Sequence, residues 1–206
     1  MAYDYKKAFS VEGKRCIVTG GAQGLSRGMA EGLLENGAEV VLMDLQAEKL
    51  DAVVKEYQVM GYKAYGVCGD LSKKAEIDRM FDEAMELLGG ALDVMIPAAG
   101  VQRRYEPWEF PEEMWKLVID VDLNHVWFMC QKAIQVMRDR ETIGKIINIG
   151  SMCSYFGGTT IPAYTAAKGA VVQLTKSIAS DCADHSICCN AVAPGYMDTE
   201  MCANMT

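Results

Sequence analysis

Short apolar runs alternate along the chain with longer stretches in which apolar positions recur every three or four residues. Residues 15–19 (RCIVT) read as a buried strand. Leu25, Met29 and Leu33 then fall four apart, the apolar face of a helix over 25–36 that Gly37 stops. A second strand, 39–43, ends at Asp44, and Leu50, Val53, Val54 and Tyr57 mark a helix closed by Gly61. Residues 63–68 form a weaker third strand. Ser72 stands as N-cap of a helix carrying Ile77, Met80, Phe81, Ala84 and Leu88. A fourth strand covers 92–96, and Pro111 opens a helical stretch reaching about Arg138. Strand five at 145–149, a helix at 163–183 and strand six at 187–193 complete the series, which no repeat, linker or charge block divides.

Strands that read as continuous apolar runs are buried on both faces, and strands alternating with helices build right-handed crossovers and a parallel sheet. The expected fold is therefore α/β, a doubly wound, Rossmann-like parallel sheet forming one dinucleotide-binding domain over residues 1–206. Ligands of such sheets bind beyond the carboxyl ends of the strands, so the residues that follow each strand should carry the chemistry.

Composition narrows the partners. Twenty basic against 28 acidic residues give a net charge of −8, the wrong sign for nucleic acid or an anionic membrane surface. No apolar run approaches the ~20 residues of a membrane helix, and the N-terminal residues lack a signal-peptide core, so a cytoplasmic protein is expected. The eight cysteines contain no C-x-x-C pair, and His125 and His185 lie far apart, which excludes zinc-site spacing and predicts no metal. Cysteines inside runs such as Ile187-Cys188-Cys189-Asn190 are expected as reduced, buried small hydrophobes.

Thr19-Gly20-Gly21-Ala22-Gln23-Gly24-Leu25-Ser26 follows strand one. Glycines there let backbone N–H groups approach a pyrophosphate at a helix N-terminus. Asp44, ending strand two, can accept hydrogen bonds from an adenine-ribose diol and repel a 2′-phosphate, which favours NAD over NADP; a helix N-cap is its alternative role. Gly69-Asp70-Leu71 follows strand three, where an adenine would lie, although Asp70 fits an ordinary loop equally well. Tyr164 and Lys168 are spaced i, i+4 on one helix face, where an ammonium stabilises a phenolate and suits the tyrosine to proton exchange. Ser151, at the end of strand five, is placed to hydrogen-bond the same substrate oxygen.

Together these motifs resemble the short-chain dehydrogenase/reductase family from about Lys14 onward. Ala98-Ala99-Gly100, Asn148-Ile149-Gly150-Ser151 and Asn190-Ala191-Val192-Ala193-Pro194-Gly195 complete the likeness. The resemblance implies Tyr164 as general acid/base, Ser151 as the oxygen-polarising hydroxyl and Lys168 as the nicotinamide-ribose contact. It implies that Pro194, Gly195, Met197 and Thr199 hold the nicotinamide. Within the family the chain is most similar to sugar-acid dehydrogenases, through Gly100-Val101-Gln102-Arg103-Arg104, Phe156-Gly157-Gly158 and Ile161-Pro162-Ala163-Tyr164. Arg103 and Arg104 are thus candidate anchors for a substrate carboxylate, with a solvated loop as the alternative. A hydroxysteroid pocket lined by Met152, Cys153, Tyr155 and Phe156 is a second reading, and a non-catalytic nucleotide-binding or interaction protein a third.

The chain departs from the family pattern at four places. Ser26 replaces the last glycine of the turn, so a Cβ is expected where the helix packs near the cofactor. Pro97-Ala98-Ala99-Gly100 replaces an Asn-Asn-Ala-Gly stretch, and Asp122 takes the place of a catalytic asparagine, whose role, played largely through its backbone carbonyl, the resemblance implies for Asp122, while Asn124 should face elsewhere. The family's covering segment, last helix and seventh strand lie beyond Thr206, and a bare apolar strand six would be an exposed edge, so a fragment is expected. The resemblance further implies dimers through 111–138 and 163–183, and a tetramer for a longer chain. His125 reads as a packed histidine, His185 as a surface loop, and Met29, Met80 and Met114 as core.

Overall fold

The structure is a computed structural model that describes residues 9–140 and 143–199. Six parallel strands form one sheet in the order β3-β2-β1-β4-β5-β6. They are β1 (Arg15–Thr19), β2 (Glu39–Asp44), β3 (Ala64–Cys68), β4 (Val94–Ile96), β5 (Gly144–Ile149) and β6 (Ile187–Val192). The helices between them are α1 (Gly24–Glu35), α2 (Ala47–Val59), α3 (Lys74–Leu87), α4 (Glu112–Ile119), α5 (His125–Asp139) and α6 (Pro162–Cys182). A π-helical turn, Asp120–Asn124, joins α4 to α5 without a break. The strand order reverses between β1 and β4, which opens a crevice at the carboxyl edge of the sheet.

Alternate residues of the central strands feed two cores. Ile17, Val41, Met43 and Ile146 face a layer containing Met80 and Phe81 of α3, Met129 and Met137 of α5, and Val171 and Ile178 of α6. Cys16, Val18, Val40 and Leu42 face Ala30 and Leu34 of α1 and Leu50, Val53 and Tyr57 of α2. Burial on both faces explains why β1, β2 and β4 read as unbroken apolar runs. β3 and β6 are edge strands, and their burial alternates or fades.

Several expectations need correction. In α1 the buried stripe is Ser26, Ala30 and Leu34, one position on from Leu25, Met29 and Leu33, which are half-buried. Two small residues in that stripe let the helix approach the sheet closely, leaving the larger side chains at its rim. Ser72 does not cap α3, which begins after Lys73 without a side-chain cap; its hydroxyl donates to Asp70 instead. β4 is three residues long rather than five. Cys188 and Cys68 are exposed, because both point outward from edge strands, while Cys16, Cys130, Cys182 and Cys189 are buried. Cys202 lies outside the described residues. Met80 is core, whereas Met29 and Met114 are half-buried.

Candidate active site

The turn after β1 is shaped by its backbone. Gly20 has φ +70°, and a Cβ there would come within 2.9 Å of Ala99 Cα, so only glycine fits. The N–H groups of Gly20 and Gly21 donate to the Met43 carbonyl, and Ala22 N–H donates to Asp44 Oδ2 at 3.1 Å. α1 then begins at Gly24 (φ +59°) with no side-chain cap on its first N–H groups. Those donors, at the positive end of the helix dipole, suit a phosphate.

A cleft of about 930 Å³ opens above this turn. It is lined on one side by Gly20, Gln23, Gly24, Leu25, Asp44, Asp70 and Leu71, and along its floor by Ala98, Ala99 and Gly100. Asp122, Ser151, Tyr164 and Lys168 line its far wall, with Arg103 and Arg104 at the rim and Pro194, Gly195, Met197 and Thr199 on the last segment. The structure thus brings the expected catalytic, cofactor and substrate residues into one cavity, of a volume suited to a dinucleotide and a small substrate; Met152, Cys153 and Phe156 also border it, but Tyr155 is exposed and does not. Among the described residues no cluster of His, Cys, Asp or Glu is arranged to hold a metal ion.

Local bonds refine what each residue can do. Asp44 is buried and not an N-cap: Oδ2 accepts from Ala22 and Oδ1 from Gln46 N–H at 3.0 Å, while the carboxylate still borders the cleft. Each carboxylate oxygen has two lone pairs, so acceptor capacity remains for a ribose diol. Asp70 is occupied locally, accepting from the Ser72 hydroxyl and N–H and pairing with Lys73 at 3.0 Å. The Ser72 bond is the main reason its carboxyl is held below the usual range. Ser26 directs its hydroxyl at the Ala98 carbonyl, 3.5 Å away. Its Cβ therefore sits between turn and β4 within the buried helix–sheet contact.

On the far wall, Ser151 Oγ accepts from Cys153 N–H at 3.1 Å, which leaves its own proton to donate elsewhere. Ser154 bridges this turn to α6, accepting from Ser151 N–H and donating to the Lys168 carbonyl at 2.7 Å. Lys168, 3% exposed, donates to the Ile149 carbonyl at 3.0 Å and lies 5.6 Å from the Tyr164 ring centroid. Asp122, fully buried, accepts from Val101 N–H at 2.8 Å through Oδ1. Its Oδ2 lies 3.5 Å from Lys168 Nζ and has no hydrogen-bond partner among the described residues. Burial pushes the Asp122 carboxyl up, and Lys168 opposes that push. Asn124 turns away and donates to Asp120, as expected.

The two rim arginines differ. Arg104 is exposed and reaches the Thr159 carbonyl and Thr160 hydroxyl, both at 3.4 Å, clipping two loops together. Arg103 is half-buried and, among the described residues, bonds the neighbouring Gln102 carbonyl. Sequence reasoning missed the π turn and the bonding of His125. His125 is buried as expected, but its ring joins Thr19 Oγ1 at 3.0 Å and the Val121 carbonyl at 2.9 Å. The sequence signal available was a ring with two polar nitrogens in an otherwise apolar stretch, VWFMC.

A doubly wound sheet with this cleft defines a nucleotide-binding architecture, and comparison with known proteins places it. The short chain dehydrogenase family profile matches residues 14–206, and the chain belongs to that family. The family binds a nicotinamide cofactor. The chain is 39% identical over 193 residues to 5-keto-D-gluconate 5-reductase of Escherichia coli (strain K12), covering 94% of this chain and 75% of that protein. It is 38% identical over 192 residues to 2-dehydro-3-deoxy-D-gluconate 5-dehydrogenase of the same organism, covering 93% and 75%. A crystal structure of a gluconate 5-dehydrogenase from Burkholderia cenocepacia J2315, in complex with NADP and tartrate, superposes with a TM-score of 0.88 at 35% identity. That match covers 95% of this chain and 76% of the other.

Proposed function

We propose that the protein transfers a hydride between NAD(H) and a secondary alcohol or ketone of a sugar acid of the gluconate or deoxygluconate type. The observation that carries this reading is one cleft joining a phosphate-suited helix start, a Ser151–Tyr164–Lys168 wall and a half-buried arginine at the rim. Likeness to sugar-acid enzymes supports the substrate class.

The nicotinamide supplies the hydride acceptor or donor when bound, held by the Gly20–Leu25 turn, Ala98–Gly100 and the segment from Pro194 to Thr199. Asp44 takes the ribose diol and disfavours a 2′-phosphate, which supports NAD, although the Burkholderia neighbour was crystallised with NADP. Ser151 directs its remaining hydroxyl proton at the substrate oxygen. Tyr164 gives a proton to that oxygen in reduction and takes it in oxidation, with the Lys168 ammonium favouring the phenolate. Arg103 binds the substrate carboxylate, and Arg104 holds the loop that presents it.

The reading includes a cytoplasmic homo-oligomer. Trp115 and Trp127, large side chains left exposed on α4 and α5, support self-association there. No helix among the described residues is long and apolar enough to cross a membrane.

NAD added with gluconate, 2-deoxygluconate or 2-keto-3-deoxygluconate is expected to give NADH absorbance with at least one of them. Arg103→Ala should raise KM for that acid about tenfold or more, the loss of a charge-assisted pair. Turnover of hydroxysteroids alone would transfer the assignment to the apolar wall of Met152, Cys153 and Phe156, which also borders the cleft. NADH binding without turnover of any alcohol would leave a non-catalytic protein.

A further inference from the structure

The π turn between α4 and α5 moves one helical N–H away from its usual acceptor. In an α-helix the His125 N–H would donate to Val121; here it donates to Asp120, five residues back. The Val121 carbonyl instead receives the His125 side chain, through Nδ1 at 2.9 Å. A carbonyl can only accept, so Nδ1 carries the ring proton. The ring is neutral at physiological pH, because burial lowers its value to about 4. Nε2 is then an acceptor, and the Thr19 hydroxyl donates to it across 3.0 Å. The same Thr19 oxygen accepts from Ala99 N–H at 2.9 Å. One buried chain of hydrogen bonds therefore runs from the cleft floor, through the end of β1, to the π turn.

That turn carries Asp122, whose two oxygens face Val101 N–H and Lys168. We propose that His125 is a positioning residue: its ring replaces the helical hydrogen bond that the π turn removes, and so fixes Asp122 against Lys168 and Val101. It touches neither cofactor nor substrate; it acts through the backbone of Val121 and the side chain of Asp122. The effect on turnover rests on the reading of the protein as a dehydrogenase, whereas the effect on the turn does not.

Three replacements separate hydrogen bonding from packing. His125→Asn keeps a donor near the Nδ1 position, His125→Leu fills the volume without a donor, and His125→Ala does neither. Hydrogen exchange of the Val101 amide, which Asp122 holds, reports the turn without any assay of activity. Val101 protection should stay within about threefold of wild type in the Asn variant and fall about tenfold or more in Leu and Ala, as expected for a buried carbonyl left unpaired. The ring nitrogens of ¹⁵N-histidine-labelled wild type should show a neutral, Nδ1-protonated tautomer. In turnover, kcat should follow the same order, with KM for NAD changed less than about threefold. An Nε2-protonated tautomer, or a Leu variant that matches Asn in both protection and kcat, would overturn the proposal in favour of packing alone. Failure of the wild type to oxidise any sugar acid would overturn the sugar-acid reading, with the Val101 and tautomer results still deciding the role of His125.

Discussion

On the side of the cleft where the dinucleotide is proposed to lie, the shape comes from backbone. Gly20 allows a close approach to Ala99, two N–H groups bond the Met43 carbonyl, and Asp44 is anchored by two further N–H groups. On the opposite side the shape comes from buried polar side chains that bond one another and the backbone around them. Lys168 and Asp122 face each other in a buried pair, Ser154 ties Ser151 to α6, and His125 stabilises an irregular helix turn. A wall made of backbone tolerates the loss of any one side chain better than a wall made of buried charges. The two sides should therefore fail differently when altered.

Lys168→Met attacks the charged wall most directly. It removes the cation beside a buried carboxylate and a bond to the Ile149 carbonyl, so stability in urea should fall by about 3–5 kcal/mol. Adding Asp122→Asn should restore a large part of that loss; no restoration would mean that the pair does not hold this wall together.

Acid should weaken the same side. The unfolded chain protonates His125 below its ordinary value of 6.5, while the folded chain does so only near 4. Stability contributed by the neutral ring is thus whole above pH 6.5 and declines as pH falls toward 4, by about 3 kcal/mol. Asp122 acts in the opposite sense, since burial raises its carboxyl and favours the folded state as it takes up a proton. Comparing wild type with His125→Asn at each pH isolates the histidine. A difference between them that stays constant from pH 7 to pH 4 would contradict this assignment.

At Asp44 the backbone wall depends on a charge that faces the proposed ribose. Asp44→Asn keeps an acceptor for Gln46 or Ala22 while deleting the charge, and should narrow the preference for NAD over NADP by about tenfold. Equal kinetics with both cofactors in the unaltered protein would remove the argument. The smallest effect is expected at Ser26, whose bond to Ala98 is long at 3.5 Å. Ser26→Ala should change stability by less than about 0.5 kcal/mol, and a clear loss of NADH affinity would show that this hydroxyl reaches the cofactor.

Those two walls also differ in how plainly the sequence announces them. Glycines after an apolar run and an acidic residue ending the next run are local signals, because a single turn produces the geometry. Tyr164 and Lys168 are equally readable, since a regular helix places i and i+4 on one face. The π turn at Asp120–Asn124 is not readable from periodicity, because one extra residue per turn hardly disturbs the apolar pattern of 111–138. The partnership of His125 with Thr19 spans 106 residues and exists only once β1 lies beside α5. Arg103 and Arg104 look alike in sequence and separate only when the loop at Thr159 and Thr160 is brought to one of them.

The central claim, that the side-chain wall exchanges a proton with a sugar-acid oxygen through Tyr164, is tested by single-turnover hydride transfer. Wild type and Tyr164→Phe are mixed in turn with saturating NADH and 5-keto-gluconate, and loss of NADH absorbance is followed in stopped flow. The account predicts that the variant binds NADH within about threefold of wild type and transfers hydride about a hundredfold or more slowly, the usual contribution of a positioned acid. Equal transfer rates in the two proteins would contradict it.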